Sequence, residues 1–199
     1  MVLPIIAYGD PVLRKVGVEI TKDYPGLENL IADMFDTMHN ALGVGLAAPQ
    51  VGKAIRLFIV ETKPFTERDE DEEEDDEFTP DERKQLEHFK KVFINAKIIE
   101  EEGKEWAFNE GCLSIPKIRE DVLRKPKIQI EYYDEHFKFH NETYEGLVAR
   151  VIQHEFDHIE GKLFTDKISP LRKRLLKGKL NDISKGKINI GYKMRFPNR

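Results

Sequence analysis

The chain has a single cysteine, Cys112, among 199 residues. No disulfide can form within it, and one lone thiol fits a reducing compartment. No apolar run approaches the ~20 residues that a membrane span requires. The opening Met1-Val2-Leu3-Pro4-Ile5-Ile6-Ala7 is too brief and too uncharged for a signal peptide. A soluble, cytoplasmic protein is therefore expected, with neither a membrane nor DNA as partner. No Gly-Lys-Ser/Thr follows the glycines near residue 45, so a phosphate loop is excluded, and the fit to a dinucleotide-binding fingerprint is poor. There is no internal repeat. What is present is 40% hydrophobic residues, enough at this length for one well-buried domain and too little for two comfortable ones.

The net charge of −5 conceals a split. Residues 67–77 carry ten acids against one arginine, a local −9. Such a block repels itself and is expected to be a mobile loop. Residues 166–199 hold eleven Lys or Arg against two Asp, a local +9. That basic segment is either a solvated surface or a contact for a polyanion such as ribosomal RNA.

Taken in order, residues 1–24 read as extended and loop-like, punctuated by Pro4, Pro11 and Pro25. Leu27, Leu30, Ile31, Met34, Phe35, Met38 and Leu42 keep helical spacing up to Gly43, which suits a stop. The glycine-rich run Gly43-Val44-Gly45-Leu46-Ala47-Ala48-Pro49-Gln50 marks a backbone approached closely by chain or ligand, and Gln50 can place an amide N–H in a site. Residues 55–61 predict a buried strand. A short helix is expected within 78–89, and β-type sequence resumes over 92–99 with a bend at Asn95. The segment 66–90 thus reads as an acidic mobile insertion between two strands of one sheet. Trp106 to Pro116 reads as a tight glycine-bearing turn around Cys112. Residues 127–133 and 137–144 form a hairpin, with His136 and His140 at the surface. A helix then runs from Gly146 to about Glu160, stopping at Gly161, and Ser169-Pro170 caps a basic helix to about Ile183.

The helix ending at Gly161 carries Gln153-His154-Glu155-Phe156-Asp157-His158. Histidines four residues apart share a face, roughly 6 Å apart along the axis, and can grip one metal ion. Glu155 sits off that line, placed to act on a metal-bound water as a base. Leu147, Val151, His154 and His158 fall at i, i+4, i+7 and i+11, so the apolar stripe runs straight into the histidines. A catalytic metal takes a third protein ligand. In the extended zincin pattern the third position is Phe164, which cannot ligate, and no glutamate follows Glu160. Asp166 and Asp182 stay open, beside Cys112 as ligand or as packing.

Three strings in this order, Gly43 to Gln50, Glu110-Gly111-Cys112-Leu113-Ser114 and Gln153 to His158, resemble the signature motifs of the bacterial peptide deformylases. The resemblance runs from the N-terminal segment to about Phe164, apart from the acidic stretch, and leaves the tail beyond about residue 184 unplaced. It implies a metal held by Cys112, His154 and His158: Fe(II) in the cell, replaceable by Zn, Ni or Co. It implies hydrolytic removal of the formyl group from formyl-methionine at the start of nascent polypeptides. Glu155 would be the proton carrier, while Gln50 and the backbone N–H of Leu113 would face the developing oxyanion. Val44 and Phe108 would join Leu147 and Val151 in the methionine pocket, and the backbone at Val44 and Gly45 would pair with the peptide. Two other classes remain in view, a metalloprotease and a closed structural zinc site. The expected fold is α+β, with mixed, largely antiparallel strands around a central metal-bearing helix. One catalytic domain over 1–199 is expected, with a basic C-terminal helix and tail over 169–199 docking near the ribosomal exit tunnel.

Overall fold

The structure is a computed structural model that describes residues 1–67 and 78–197. Its centre is a five-stranded antiparallel sheet. In spatial order its strands are β2 (Gly45–Ala47), β3 (Leu57–Glu61), β4 (Lys90–Glu102), β7 (Lys127–Tyr133) and β8 (Phe139–Glu145). The run Leu57-Phe58-Ile59-Val60 is apolar at every position because β3 is covered on both faces. Phe58 and Val60 pack with Val148, Ala149 and Ile152 of helix α3 (Gly146–Ile159). Leu57 and Ile59 pack with Ile31, Met34 and Met38 of helix α1 (Leu27–Asn40). The motif helix is therefore central, and the strands around it are largely antiparallel, as expected.

A second unit is the hairpin of β5 (Trp106–Cys112) and β6 (Ile115–Arg124). It carries Cys112 at its tip. Where the sequence points to a local turn at 106–116, the chain forms two long strands, and only Leu113 and Ser114 make the turn. Ile115, Ile118 and Val122 of β6 share a third apolar cluster with Phe164 and with Leu176, Leu180 and Ile183 of helix α4 (Pro170–Ser184). Ser169 Oγ caps α4 by accepting from Arg172 N at 3.3 Å.

Other expectations are met or shifted in detail. The short helix is α2 (Pro80–His88), opened by a reciprocal pair between Thr79 and Glu82. The bend at Asn95 is a left-handed residue, φ 52°, at a register shift in β4, and its amide ties down Ile20 through two hydrogen bonds. Helix α1 ends at Asn40 rather than at Gly43. Leu42 lies beyond it with φ 54° and 91% exposure, because Gly43 N has turned back to Met38 O. Gly161 closes α3 at φ 68°, where a Cβ would stand 2.7 Å from Arg14 O. Residues 1–24 contain β1 (Ile5–Ile6) and a 3-10 turn at Pro11–Arg14. His136 is exposed, whereas His140 is half-buried, bonded to Asp134 at 2.7 Å and stacked on Tyr132. The expected mobile acidic block at 67–77 lies, except for Glu67, outside the described residues. Residues 185–197 return to the start of the chain, where β9 (Met194–Arg195) pairs with β1 in parallel. Among the described residues no helix is long and apolar enough to cross a membrane.

On β8, Glu142 accepts hydrogen bonds from Lys91, Tyr132 and Tyr144. Burial alone would raise its pKa, but these partners outweigh it and hold the carboxyl down at about 2, from an ordinary 4.5. The ionised form is thus favoured by folding. Its contribution is complete above about pH 4.5 and is lost as the pH falls toward about 2. Glu142→Gln should flatten the acid limb of a Tm-against-pH curve in that window. An acid limb identical to that of the parent would show the cluster to be neutral for stability.

Candidate metal centre

Two elements distant in sequence build the site. Helix α3 presents His154 and His158 from one face, and both are buried. The β5–β6 tip brings Cys112 to them, with Sγ 3.3 Å from His158 Nε2. One ligand atom from each of Cys112, His154 and His158 lies within 4.8 Å of the others. Among the described residues no further His, Cys, Asp or Glu joins this group. A thiolate and two imidazoles converging at that spacing form a donor set suited to a divalent transition metal, with room for a solvent ligand. Asp166, open as a ligand on sequence grounds, is engaged instead by Arg14 at 2.5 Å.

Behind the ligands stands Glu110, buried on β5. His154 Nδ1 meets its Oε2 at 2.9 Å, which leaves Nε2 of that ring for the metal. Arg124 of β6 donates to both Glu110 oxygens, at 2.6 and 3.0 Å, and to Asp157 of α3 at 2.7 Å. Arg150, left without a role by the sequence, donates to Glu110 Oε1 at 3.0 Å and to the carbonyls of Val122 and Trp106. Its guanidinium also lies 4.4 Å above the Trp106 ring. Burial would raise the Glu110 pKa, yet the hydrogen bonds from His154 and Arg124 hold it well below the carboxylate range. The site is thus fastened by ions that the sequence reading did not assign.

Glu155 is different. It is 4% exposed, its Oε2 has no hydrogen-bond partner among the described residues, and burial pushes its carboxyl up to about 7. A group so poised can take and return a proton near neutrality. Gln50 follows β2 in a 3-10 turn, where its Oε1 accepts from Ala47 N at 2.9 Å. That bond turns the amide Nε2 toward Ser114 Oγ, at 3.2 Å, and Cys112 Sγ, at 3.5 Å. Val44, Gly45, Gln50, Phe108, Leu113 and Val151 line one cleft with Cys112, His154 and Glu155. Leu147 lines a neighbouring cavity, which meets the first at Phe108. The cleft also includes Ile190 and Tyr192 from the unplaced tail, and a signal for them was available. Ile188, Ile190, Tyr192, Met194 and Phe196 alternate with polar or small residues, the pattern of an extended segment with one face inward.

Arg124 offers a direct test of the buried ions. Arg124→Met leaves Glu110 and Asp157 with one cation fewer in a dry setting, and should cost about 3–5 kcal/mol of stability. The denaturant midpoint measures it. A loss under about 1 kcal/mol would mean that the carboxylates find water or other partners.

With this geometry in hand, comparison with known proteins gives a consistent answer. A family profile described as polypeptide deformylase matches residues 2–174. The peptide deformylase of Christiangramia forsetii is 65% identical over 198 residues, covering 100% of this chain and 97% of the relative. That of Flavobacterium johnsoniae is 59% identical over 196 residues, covering 98% and 96%. The crystal structure of a peptide deformylase from Legionella pneumophila superposes with a TM-score of 0.76 at 35% identity, covering 94% of this chain and 98% of that one. The profile takes in all three motif strings, the relatives align nearly end to end, and the fold is shared: the chain belongs to the peptide deformylase family.

Proposed function

We propose that Cys112, His154 and His158 hold the metal ion on which the family's reaction depends, and that Glu155, Gln50 and Leu113 perform its proton transfer and charge stabilisation. The reaction is hydrolytic removal of the formyl group from the N-terminal formyl-methionine of nascent polypeptides, releasing formate. The observation that carries the assignment is the convergence of three ligand atoms within 4.8 Å from two elements far apart in sequence. A divalent cation bound there supplies Lewis acidity and makes the attacking water more acidic. We assign Fe(II) in the cell, replaceable by Zn, Ni or Co, an identity that rests on the family resemblance.

The chain's own groups do the rest. Glu155, with one carboxylate oxygen free and a pKa near neutrality, takes the proton of the attacking water and delivers it to the departing amine. As the formyl oxygen becomes negative, the Gln50 amide and the Leu113 N–H receive it. Gln50 is held for this by Ala47 N, so little reorganisation is needed. Strand β2 is an edge of the sheet, so the peptide can add beside Val44 and Gly45 as an extended strand. Val44, Phe108 and Val151 are the walls for the methionine side chain, with Leu147 behind Phe108. The exposed bases Lys173, Arg174, Lys177 and Lys179 of α4 offer a face for ribosomal RNA in the cytoplasm.

Formate release from a formyl-Met peptide and metal content, measured together, test these roles. Glu155→Ala should lose on the order of 10²–10⁴ in kcat with its metal retained, and Cys112→Ser should lose the metal. Gln50→Ala should cost about 3 kcal/mol of transition-state stabilisation. An active Glu155→Ala enzyme would overturn the assignment. Gly45→Ala is a sharper probe, since its Cβ would stand 2.5 Å from Glu155 Oε1. A displacement of ~1 Å should cost about a hundredfold. For the ribosome, reversing the charge of Lys173, Arg174 and Lys177 should abolish co-sedimentation at low salt. Truncation is unsuitable because Leu176, Leu180 and Ile183 are core residues.

A further inference from the structure

The turn that carries Leu113 is poorly supported by its own hairpin. Regular pairing of β5 with β6 ends at Gly111 opposite Arg119, and the next pair is Cys112 opposite Ile115. The residues between them on β6, Pro116, Lys117 and Ile118, form a bulge, with Lys117 at φ 61°. The bulge leaves the two turn residues without a continuous ladder behind them.

Three bonds from elsewhere replace that support. Gln50 Nε2 donates to Ser114 Oγ at 3.2 Å, and Tyr8 N donates to Ser114 O at 2.9 Å. The third comes from the tail: the Tyr192 hydroxyl donates to Leu113 O at 2.8 Å. Tyr192 is itself placed by a strap. Ile5 N bonds Lys193 O and Ala7 N bonds Arg195 O, both at 2.9 Å, while Met194 and Phe196 pack into the third apolar cluster. Two successive carbonyls of the turn are thus pinned, one from each end of the chain. The Leu113 N–H belongs to the Cys112–Leu113 peptide, which is planar and joins two anchored points: Cys112, paired with Ile115, and the Leu113–Ser114 peptide, whose plane Tyr192 fixes through Leu113 O.

The geometry points to Tyr192 as a positioning residue for deformylation, acting through the Leu113 carbonyl so that the neighbouring Cys112–Leu113 peptide holds its N–H toward the formyl oxygen before substrate arrives. This rests on the oxyanion role proposed above for Leu113 and Gln50. Tyr192 lines the cleft with its ring, while its hydroxyl is taken up by Leu113 O. Its influence should appear in the transition state and not in ground-state binding.

Tyr192→Phe retains the ring, the strap and the cleft wall and removes only the hydroxyl. The expected result is a fall in kcat on the order of tenfold, the scale of one lost hydrogen bond. KM should stay within about twofold, with metal content and Tm unchanged, since selective loss of kcat is the mark of a transition-state effect. A wild-type kcat would overturn the proposal. So would a fall in kcat that tracks loss of metal or of Tm, because the hydroxyl would then serve only the fold. Gln50→Ala, assayed alongside, separates the two levels. If Gln50→Ala loses activity and Tyr192→Phe does not, the positioning role alone fails. If neither loses activity, the oxyanion reading itself fails.

Discussion

Glu110 is the point at which the hairpin and the motif helix become one body. Its two oxygens are shared among His154, Arg124 and Arg150, and Arg124 continues the chain of charges to Asp157, two turns of helix from Arg150. The three candidate ligands come from both sides of this junction, Cys112 from the hairpin and the histidines from the helix. A cluster of buried ions contributes little net stability compared with apolar packing, but it fixes relative placement with directional bonds. Placement is what a three-ligand metal site requires.

The same region sets two carboxylates to opposite tasks by their surroundings. Glu110, surrounded by cations, is held ionised. Glu155, equally buried but with one oxygen lacking any partner among the described residues, is pushed up to about 7. Two glutamates are thus set apart by their surroundings, one held as an ionised anchor and the other kept close to neutrality. Gly45 belongs to this division, since the absence of a side chain there gives Glu155 its space.

Much of this was legible in the sequence where periodicity and punctuation were clean. The span of α3, its stop at Gly161, the cap at Ser169 and the bend at Asn95 all follow from local chemistry. The β5–β6 hairpin was not legible, for a physical reason. Along β6 beyond the bulge the inward positions are Ile118, Glu120, Val122 and Arg124, and because Glu120 and Arg124 are charged the usual alternation is hidden. Arg150 was obscure for a related reason: it looks like a solvated position on a helix and is buried because Glu110 awaits it. The strap did carry a readable alternation from Ile188 to Phe196, but a two-residue strand has too little pairing for sequence pattern to name its partner. Of the candidate ligands, the two histidines stood out by their spacing on one helix, whereas Cys112 remained beside Asp166 and Asp182 until the family resemblance singled it out, because a ligand from a distant hairpin leaves no local spacing to read.

The pairing of Ile5 with Met194 also has a temporal meaning. A chain emerges from the ribosome in order, so β1 must wait with its edge unsatisfied through the synthesis of nearly everything else before β9 exists to meet it. Until then the Leu113 carbonyl has no hydroxyl from Tyr192, even if the helix and the hairpin have already docked. Completion of this catalyst is therefore a late event in its own making: the molecule that trims newborn chains gains the Tyr192 contact only after the hairpin and the motif helix have both been made.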